Sequence, residues 1–273
     1  GFKDLDNKLS GFQSSDLIIL AARPSVGKTS LALDFARNAA VKHGIPVAIF
    51  SLEMSKEQLV DRMLSAQSQV DSWKLRTAKL SLDEEFQRLQ QGMHELMKAP
   101  IYVDDKAANT ILNMRSTLRR LNTDKPIGLV IVDYLQLMGT SKSYDSMVNQ
   151  VTEISRSLKG LAKEFNTPVI ALSQLSRAVE ARGGKPRLSD LRDSGSIEQD
   201  ADVVMFIHRE DKYGTEGTER KNIVEVLIEK HRNGPTGMVE LYFDDKKTSF
   251  LSIEKSEFGD FSLPNVNVNV PEF

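Results

Sequence analysis

The chain has 273 residues, 40% hydrophobic and 27% charged, with 36 basic against 38 acidic side chains and a net charge of −2. That length carries one large domain or two small ones with apolar surface enough for a core, and the mild acidity argues against broad, non-specific binding to nucleic acid, so any contact with a phosphate backbone has to be local. The absence of cysteine excludes disulfides and thiolate metal sites and suits a reducing compartment, while no apolar run approaches the ~18 residues of a membrane span and GFKDLDNK lacks a signal-peptide core. With Gly1 at its start, the chain is expected to be a piece of something longer.

The first apolar run, LIILAA (17–22), reads as a strand that leads straight into a phosphate-loop pattern ending in Gly27-Lys28-Thr29, and LALDFARNAA continues it as a helix. Strand, loop and helix in that order are the context that such a motif requires. Ala22, Arg23, Pro24, Ser25, Val26, Gly27, Lys28 and Thr29 are therefore the candidate nucleotide-binding residues. Backbone N–H groups at the helix start hold phosphates, Lys28 reaches them, and the Thr29 hydroxyl ligates Mg²⁺. Pro24 supplies no N–H, so the donors come mainly from Ser25 through Thr29. Ala22 stands where the general pattern has glycine. That costs about 1–2 kcal/mol if its backbone is left-handed and almost nothing if Ala22 ends the strand with negative φ, and the second case is expected.

PVAIFS (46–51) reads as the next strand, followed by Glu53 and by Ser55 with Gln58 as a capping box. A glutamate two residues past a strand is ordinarily polar loop, although strand ends in open α/β sheets also point into a ligand crevice. Leu82, Phe86, Leu89, Met93 and Leu96 mark a helix, with Ser81 and Glu84 as its capping box. IYVDD (100–104) is a strand, and Ile111, Met114, Leu118 and Leu121 form a second helical stripe. GLVIVD (128–133) ends in Asp133, a carboxylate expensive to bury alone and explained by a metal-bound water; capping of the following segment is the alternative. Val148, Val151, Ile154, Leu158, Leu161 and Phe165 form a third stripe, and all three stripes are expected to be core.

PVIALS (168–173) places Gln174 just past another strand end, and a long connection over 174–200 precedes DVVMFI (202–207). Loops of that length are functional or disordered, and its SGSIEQDA part suits a short helix. Residues 177–192 hold five basic side chains against two acidic ones, which as charge alone reads as a solvated loop. NIVEVLIEKHR (222–232), GMVELYFD (237–244) and SFLSIE (249–254) read as an antiparallel meander with NGPTG (233–237) as its first turn. Lys230 and Arg232 share one face of that strand, which by pattern alone reads as a charge-protected edge. Alternating strands and helices before residue 207 make the class α/β with a mainly parallel sheet.

SLEMS (51–55), VIVDYLQLM (130–138), PVIALSQLSR (168–177), LSDLRDSGSIEQDADVVMFI (188–207) and EKHRNGPTG (229–237) together resemble the bacterial replicative helicases of the DnaB type. GFKDLDNKLSGF (1–12) resembles the opening of their motor domain, and AARPSVGKT their own version of the phosphate loop. The resemblance implies a RecA-like P-loop NTPase, with helices flanking the central sheet and a C-terminal antiparallel β extension. It implies hydrolysis of ATP or a related nucleotide with Mg²⁺, in a homohexameric ring around single-stranded DNA that unwinds duplex during replication in the cytoplasm. On the same grounds Glu53 is the catalytic glutamate, Asp133 the metal-side aspartate beside Thr29, and Gln174 the coupling glutamine. Lys230 and Arg232 match the basic pair that reaches a neighbouring subunit's nucleotide, and Arg192, Asp193 and Gly195 match the loop that grips DNA. His231 and Asp193 stand where glutamine and glutamate are more usual. The resemblance also implies a motor domain over 1–258, a flexible tail over 259–273, a primase-contacting N-terminal domain outside this chain, and primase and a helicase loader as partners, with no membrane association.

Overall fold

The computed structural model describes residues 1–80, 83–107, 109–138, 147–191, 195–213, 220–255 and 261–262. Its main sheet takes β1 (Leu17–Ala22), β2 (Val47–Ser51), β3 (Ile101–Asp104), β4 (Leu129–Asp133), β5 (Val169–Gln174), β6 (Val203–His208), β7 (Ile223–His231), β8 (Gly237–Asp244) and β9 (Ser249–Ser252). Their order across the sheet is β3-β2-β4-β5-β1-β6-β7-β8-β9. The first six of these strands run parallel and the last three add on antiparallel. This is the expected mainly parallel sheet with an antiparallel extension.

The helices are α1 (Lys3–Leu9), α2 (Lys28–Arg37), α3 (Lys56–Ser68), α4 (Ser72–Thr77), α5 (Asp83–Lys98), α6 (Ile111–Asp124), α7 (Met147–Phe165), α8 (Ala178–Arg182), α9 (Gly195–Asp200) and α10 (Glu210–Tyr213). Crossover helices cover both faces of a parallel sheet, so its central strands are apolar throughout. All six residues of β1 are buried. Successive side chains alternate faces: Ile18, Leu20 and Ala22 join one core layer with Leu31 and Phe35 of α2, whereas Leu17, Ile19 and Ala21 join a second layer with Met114 and Leu118 of α6 and Leu158 of α7. Burying each such large side chain contributes about 1.5–3 kcal/mol.

The stripes on α6 and α7 face the core as expected, apart from Val148, which is exposed. The α5 stripe does so only in part. Leu96 packs against the core, whereas Phe86 and Met93 are 52% and 46% exposed and their sequence neighbours Glu85 and Gly92, about 100° round the helix, are buried. Gly92 lies so close to α3 that a Cβ there would sit 3.0 Å from the Ser68 Cβ and backbone N. Periodicity identifies an apolar side of a helix, but a small residue that permits close approach decided which side packs. The Ser55–Gln58 capping box is present at the start of α3; its counterpart at Ser81 lies outside the described residues, as does the tail beyond 258 apart from 261–262.

Candidate active site

Strand order converges the site. β2, β4, β5 and β1 are consecutive neighbours, so the segments leaving their C-terminal ends, which carry Glu53, Asp133, Gln174 and the phosphate loop, lie side by side. Ser51 pairs in register with Asp133 and Ala22 with Gln174. A cavity of about 440 Å³ opens there, lined by Ala22 through Ser25, Gly27 through Ser30, Glu53, Met54, Arg62, Gln174, Phe243, Asp245 and Thr248.

The loop geometry settles the cost of Ala22, which ends β1 as a buried strand residue. The left-handed positions are Ser25 (φ 63°) and Gly27 (φ 110°). Gly27 precedes α2 with no side-chain cap, so the first-turn N–H groups of α2 keep no intrahelical partner and face the cavity. Beneath the loop, an added Cβ on Gly27 would lie 2.9 Å from Phe250 Cζ. Phe250 is fixed there because Asp34 of α2, 2% exposed, accepts from its N–H at 2.7 Å and from the Ser249 hydroxyl at 3.0 Å.

Asp133 is 2% exposed. The Thr29 hydroxyl donates to its Oδ2 at 2.8 Å. Lys28 Nζ stands 3.6 Å from Oδ1, which is an ion pair without a hydrogen bond, so Oδ1 is buried with no hydrogen-bond partner. Lys28 also lies over the Tyr134 ring, 4.3 Å from its centroid. Burial depresses the Lys28 pKa, and Asp133 and Glu53 pull it partly back. An orphaned carboxylate oxygen beside a threonine hydroxyl is an all-oxygen donor set that suits a hard divalent cation. Chemically, the arrangement offers backbone donors and an ammonium for phosphate, two oxygens for a cation, and an exposed carboxylate, Glu53, at the mouth.

Arg62 was not legible in the sequence. It sits on α3, lines the cavity, and feels the charges of Asp133 and Glu53 while burial depresses its pKa. Nothing local marks it; only the fold brings α3 over the loop. Phe243, Asp245 and Thr248, from the β8–β9 hairpin, were missed for the same reason.

Lys230 and Arg232 lie elsewhere. Lys230 pairs with Val204, two strands from Ile19, at the N-terminal end of the parallel strands and opposite to this cavity. Lys230 Nζ donates to the carbonyls of Glu198 and Ala201, and Arg232 pairs with Asp202 at 3.4 Å. His231 turns the other way, its ring 3.3 Å from the Pro235 carbonyl. Gly195 begins α9, and Arg192 and Asp193 lie outside the described residues.

The model of the DnaB-like helicase C-terminal domain family matches residues 1–252. Over 97% of its length the chain is 50% identical to the replicative DNA helicase DnaB of Geobacillus stearothermophilus and 49% identical to the replicative DNA helicase DnaC of Bacillus subtilis. It spans 58% of the length of each. One solved ATPase domain superposes with a TM-score of 0.89 at 40% identity, covering 93% of this chain and 90% of that one. A DnaB-like replicative helicase solved for its interactions with primase matches equally well, with 61% of its chain covered. The fold is thus RecA-like, and the chain belongs to the DnaB-like helicase C-terminal domain family.

Proposed function

We propose that the protein is the ATP-hydrolysing motor of a replicative DNA helicase, with its catalytic sites completed at the interfaces of a homohexamer. The observation that carries this reading is the position of Lys230 and Arg232 at the opposite end of the sheet from the phosphate loop of the same chain. Lys230 is level with Ile19, three residues or roughly 10 Å along the sheet from Ala22, and Arg232 is level with Leu17, five residues or roughly 16 Å away, so they serve a nucleotide bound to a neighbour and not their own.

Within one subunit, the first-turn N–H groups of α2 and the Lys28 ammonium bind the phosphates. Thr29 and Asp133 hold Mg²⁺, which when bound neutralises charge developing on the phosphate oxygens. Glu53 orients the attacking water and accepts its proton, and Gln174, at the end of β5, senses the terminal phosphate. Arg62 adds a cation from the same subunit. Lys230 and Arg232 supply charge from the neighbour, a contribution worth about 10³–10⁵ in rate for an arginine finger. Single-stranded DNA lies along Arg192, Asp193 and Gly195, a local contact that suits the slightly acidic chain. The motor extends over 1–258, with 259–273 a tail. The whole protein adds a primase-contacting N-terminal domain, is placed on the fork by a loader, and works in the cytoplasm. Among the described residues no helix is long and apolar enough to cross a membrane.

Arg232→Ala tests the interface mechanism. Nucleotide affinity is expected to be unchanged and DNA-stimulated turnover to be lost; full stimulated turnover in that variant contradicts it.

A further inference from the structure

The connection between β5 and Leu191 has the length of a loop but is tied down along its course. Leu175 N donates to the Ala22 carbonyl at 3.1 Å, and Leu175 pairs with Leu191 in an isolated antiparallel bridge, so the two ends close on each other. Near its middle, Arg23 of the phosphate loop reaches out to it. Arg23 Nε donates to Glu180 Oε1 on α8 at 2.8 Å, and Nη1 donates to the Leu175 carbonyl at 2.8 Å. At the far end Arg182 grips Asp190 with two parallel bonds of 2.8 and 2.7 Å. Asp190 also accepts from Arg187 N at 2.7 Å, and its carbonyl accepts from Ser176 N at 2.9 Å. The result is a closed, internally braced strap, with one side chain of the nucleotide cradle bonded directly into it.

This brace has little to offer stability. Glu180 is 45% exposed, and without its carboxylate Arg23 keeps the Leu175 carbonyl and a face on two open cavities, so loss of the pair is expected to cost no more than about 1 kcal/mol. Arg23, by contrast, is 8% exposed and forms part of the wall between the nucleotide cavity and a second one of about 680 Å³ that it shares with Gln174, Ser176 and Arg177. Its hydrogen bond holds the Glu180 carboxyl below the ordinary carboxylate range. A cradle that shifts around a phosphate carries Arg23 with it, and α8 follows because the strap is braced as one piece.

We propose that Glu180, through Arg23, is a positioning residue that transmits the state of the nucleotide cradle along the 175–191 strap to the DNA-contacting stretch that Leu191 leads into. The inference rests on the motor reading above and adds the route by which the nucleotide changes DNA affinity. The Arg23–Glu180 and Arg182–Asp190 bonds lie in series along α8, beside the direct Leu175–Leu191 bridge.

The test is the dissociation constant of fluorescein-labelled oligo(dT), measured by anisotropy with saturating ADP and again with saturating AMP-PNP. In the unaltered protein the two constants differ. Glu180→Ala is expected to shrink their ratio about 3- to 10-fold, within the span of coupling terms carried by single residues. The unfolding midpoint and the DNA-independent ATPase rate stay at the parent's values, which separates positioning from a merely structural role. Arg182→Gln cuts the same strap further along, so the double variant loses no more than the larger single loss. A parent-like ratio in Glu180→Ala, or losses that add in the double variant, overturns the proposal. An unaltered protein whose DNA affinity is the same with both nucleotides overturns the motor reading and the joint together, a result distinct from a failure confined to the variants.

Discussion

Gly27→Ala places two penalties on one atom. The backbone there has φ 110°, where a Cβ costs about 1–2 kcal/mol. The same Cβ meets Phe250 Cζ at 2.9 Å and Cε2 at 3.2 Å. Phe250 cannot back away freely: it is 2% exposed, sits 4.6 Å from the Phe243 ring centroid, and its N–H is bonded to Asp34. Overpacking of that kind costs about 1–3 kcal/mol, which gives about 2–5 kcal/mol together. For a domain of this size each kcal/mol lowers the unfolding midpoint by about 2–4 °C, so a fall on the order of 4–20 °C is expected. The first-turn N–H groups of α2 move with the loop, so affinity for a fluorescent ATP analogue falls as well. Circular-dichroism melting and a nucleotide titration measure the two effects. A variant that melts with the parent and binds nucleotide equally well refutes the argument that Phe250 and the left-handed backbone together fix glycine at this position.

Gly160→Ala is the opposite case, because Gly160 lies within α7 with nothing near its added Cβ; a gain of about 0.5–1 kcal/mol is expected, and a loss in denaturant unfolding counts against the open space described there. Asp34→Ala strips the acceptor from Phe250 N, Ser249 and Arg37 and is expected to cost about 3–5 kcal/mol, as breaking a buried charged network does; a cost under about 1 kcal/mol, typical of an exposed pair, contradicts it. Burial depresses the His208 pKa, opposed by Glu225 and reinforced by Lys185. A base with a depressed folded-state pKa binds fewer protons folded than unfolded. Stability is therefore full above the unfolded value of about 6.5 and is lost as pH falls from there through the lower folded value. His208→Gln is expected to flatten that slope in urea unfolding across pH, and an unchanged slope contradicts the assignment.

The six parallel strands were legible because burial on both faces writes them as continuous apolar runs, and LIILAA, PVAIFS and GLVIVD stand within a residue of the observed elements. The phosphate loop was legible because its strand, glycine and helix must adjoin in sequence. The partners that complete the cavity were not. Arg62 and Asp245 reach it from α3 and the β8–β9 hairpin, and no spacing rule connects residue 28 to residue 245. The α5 stripe misleads in part for a related reason: Leu96 packs on the core, but Gly92 lets the face it shares with Leu89 and Leu96 close on α3 and leaves Phe86 and Met93 exposed. Charge counting over 177–192 reads a solvated loop, whereas Arg182 and Lys185 are spent on Asp190 and Glu225, pairings visible only once the strap is folded.

The central claim is that each catalytic site is shared between two subunits and coupled to DNA. Its most direct test is the steady-state ATPase rate per subunit across a protein-concentration series, with and without single-stranded DNA. The rate is expected to rise with concentration, as Arg232 of one subunit reaches the next, and to rise again with DNA. A rate flat in both variables contradicts shared sites and marks each chain as a self-contained hydrolase.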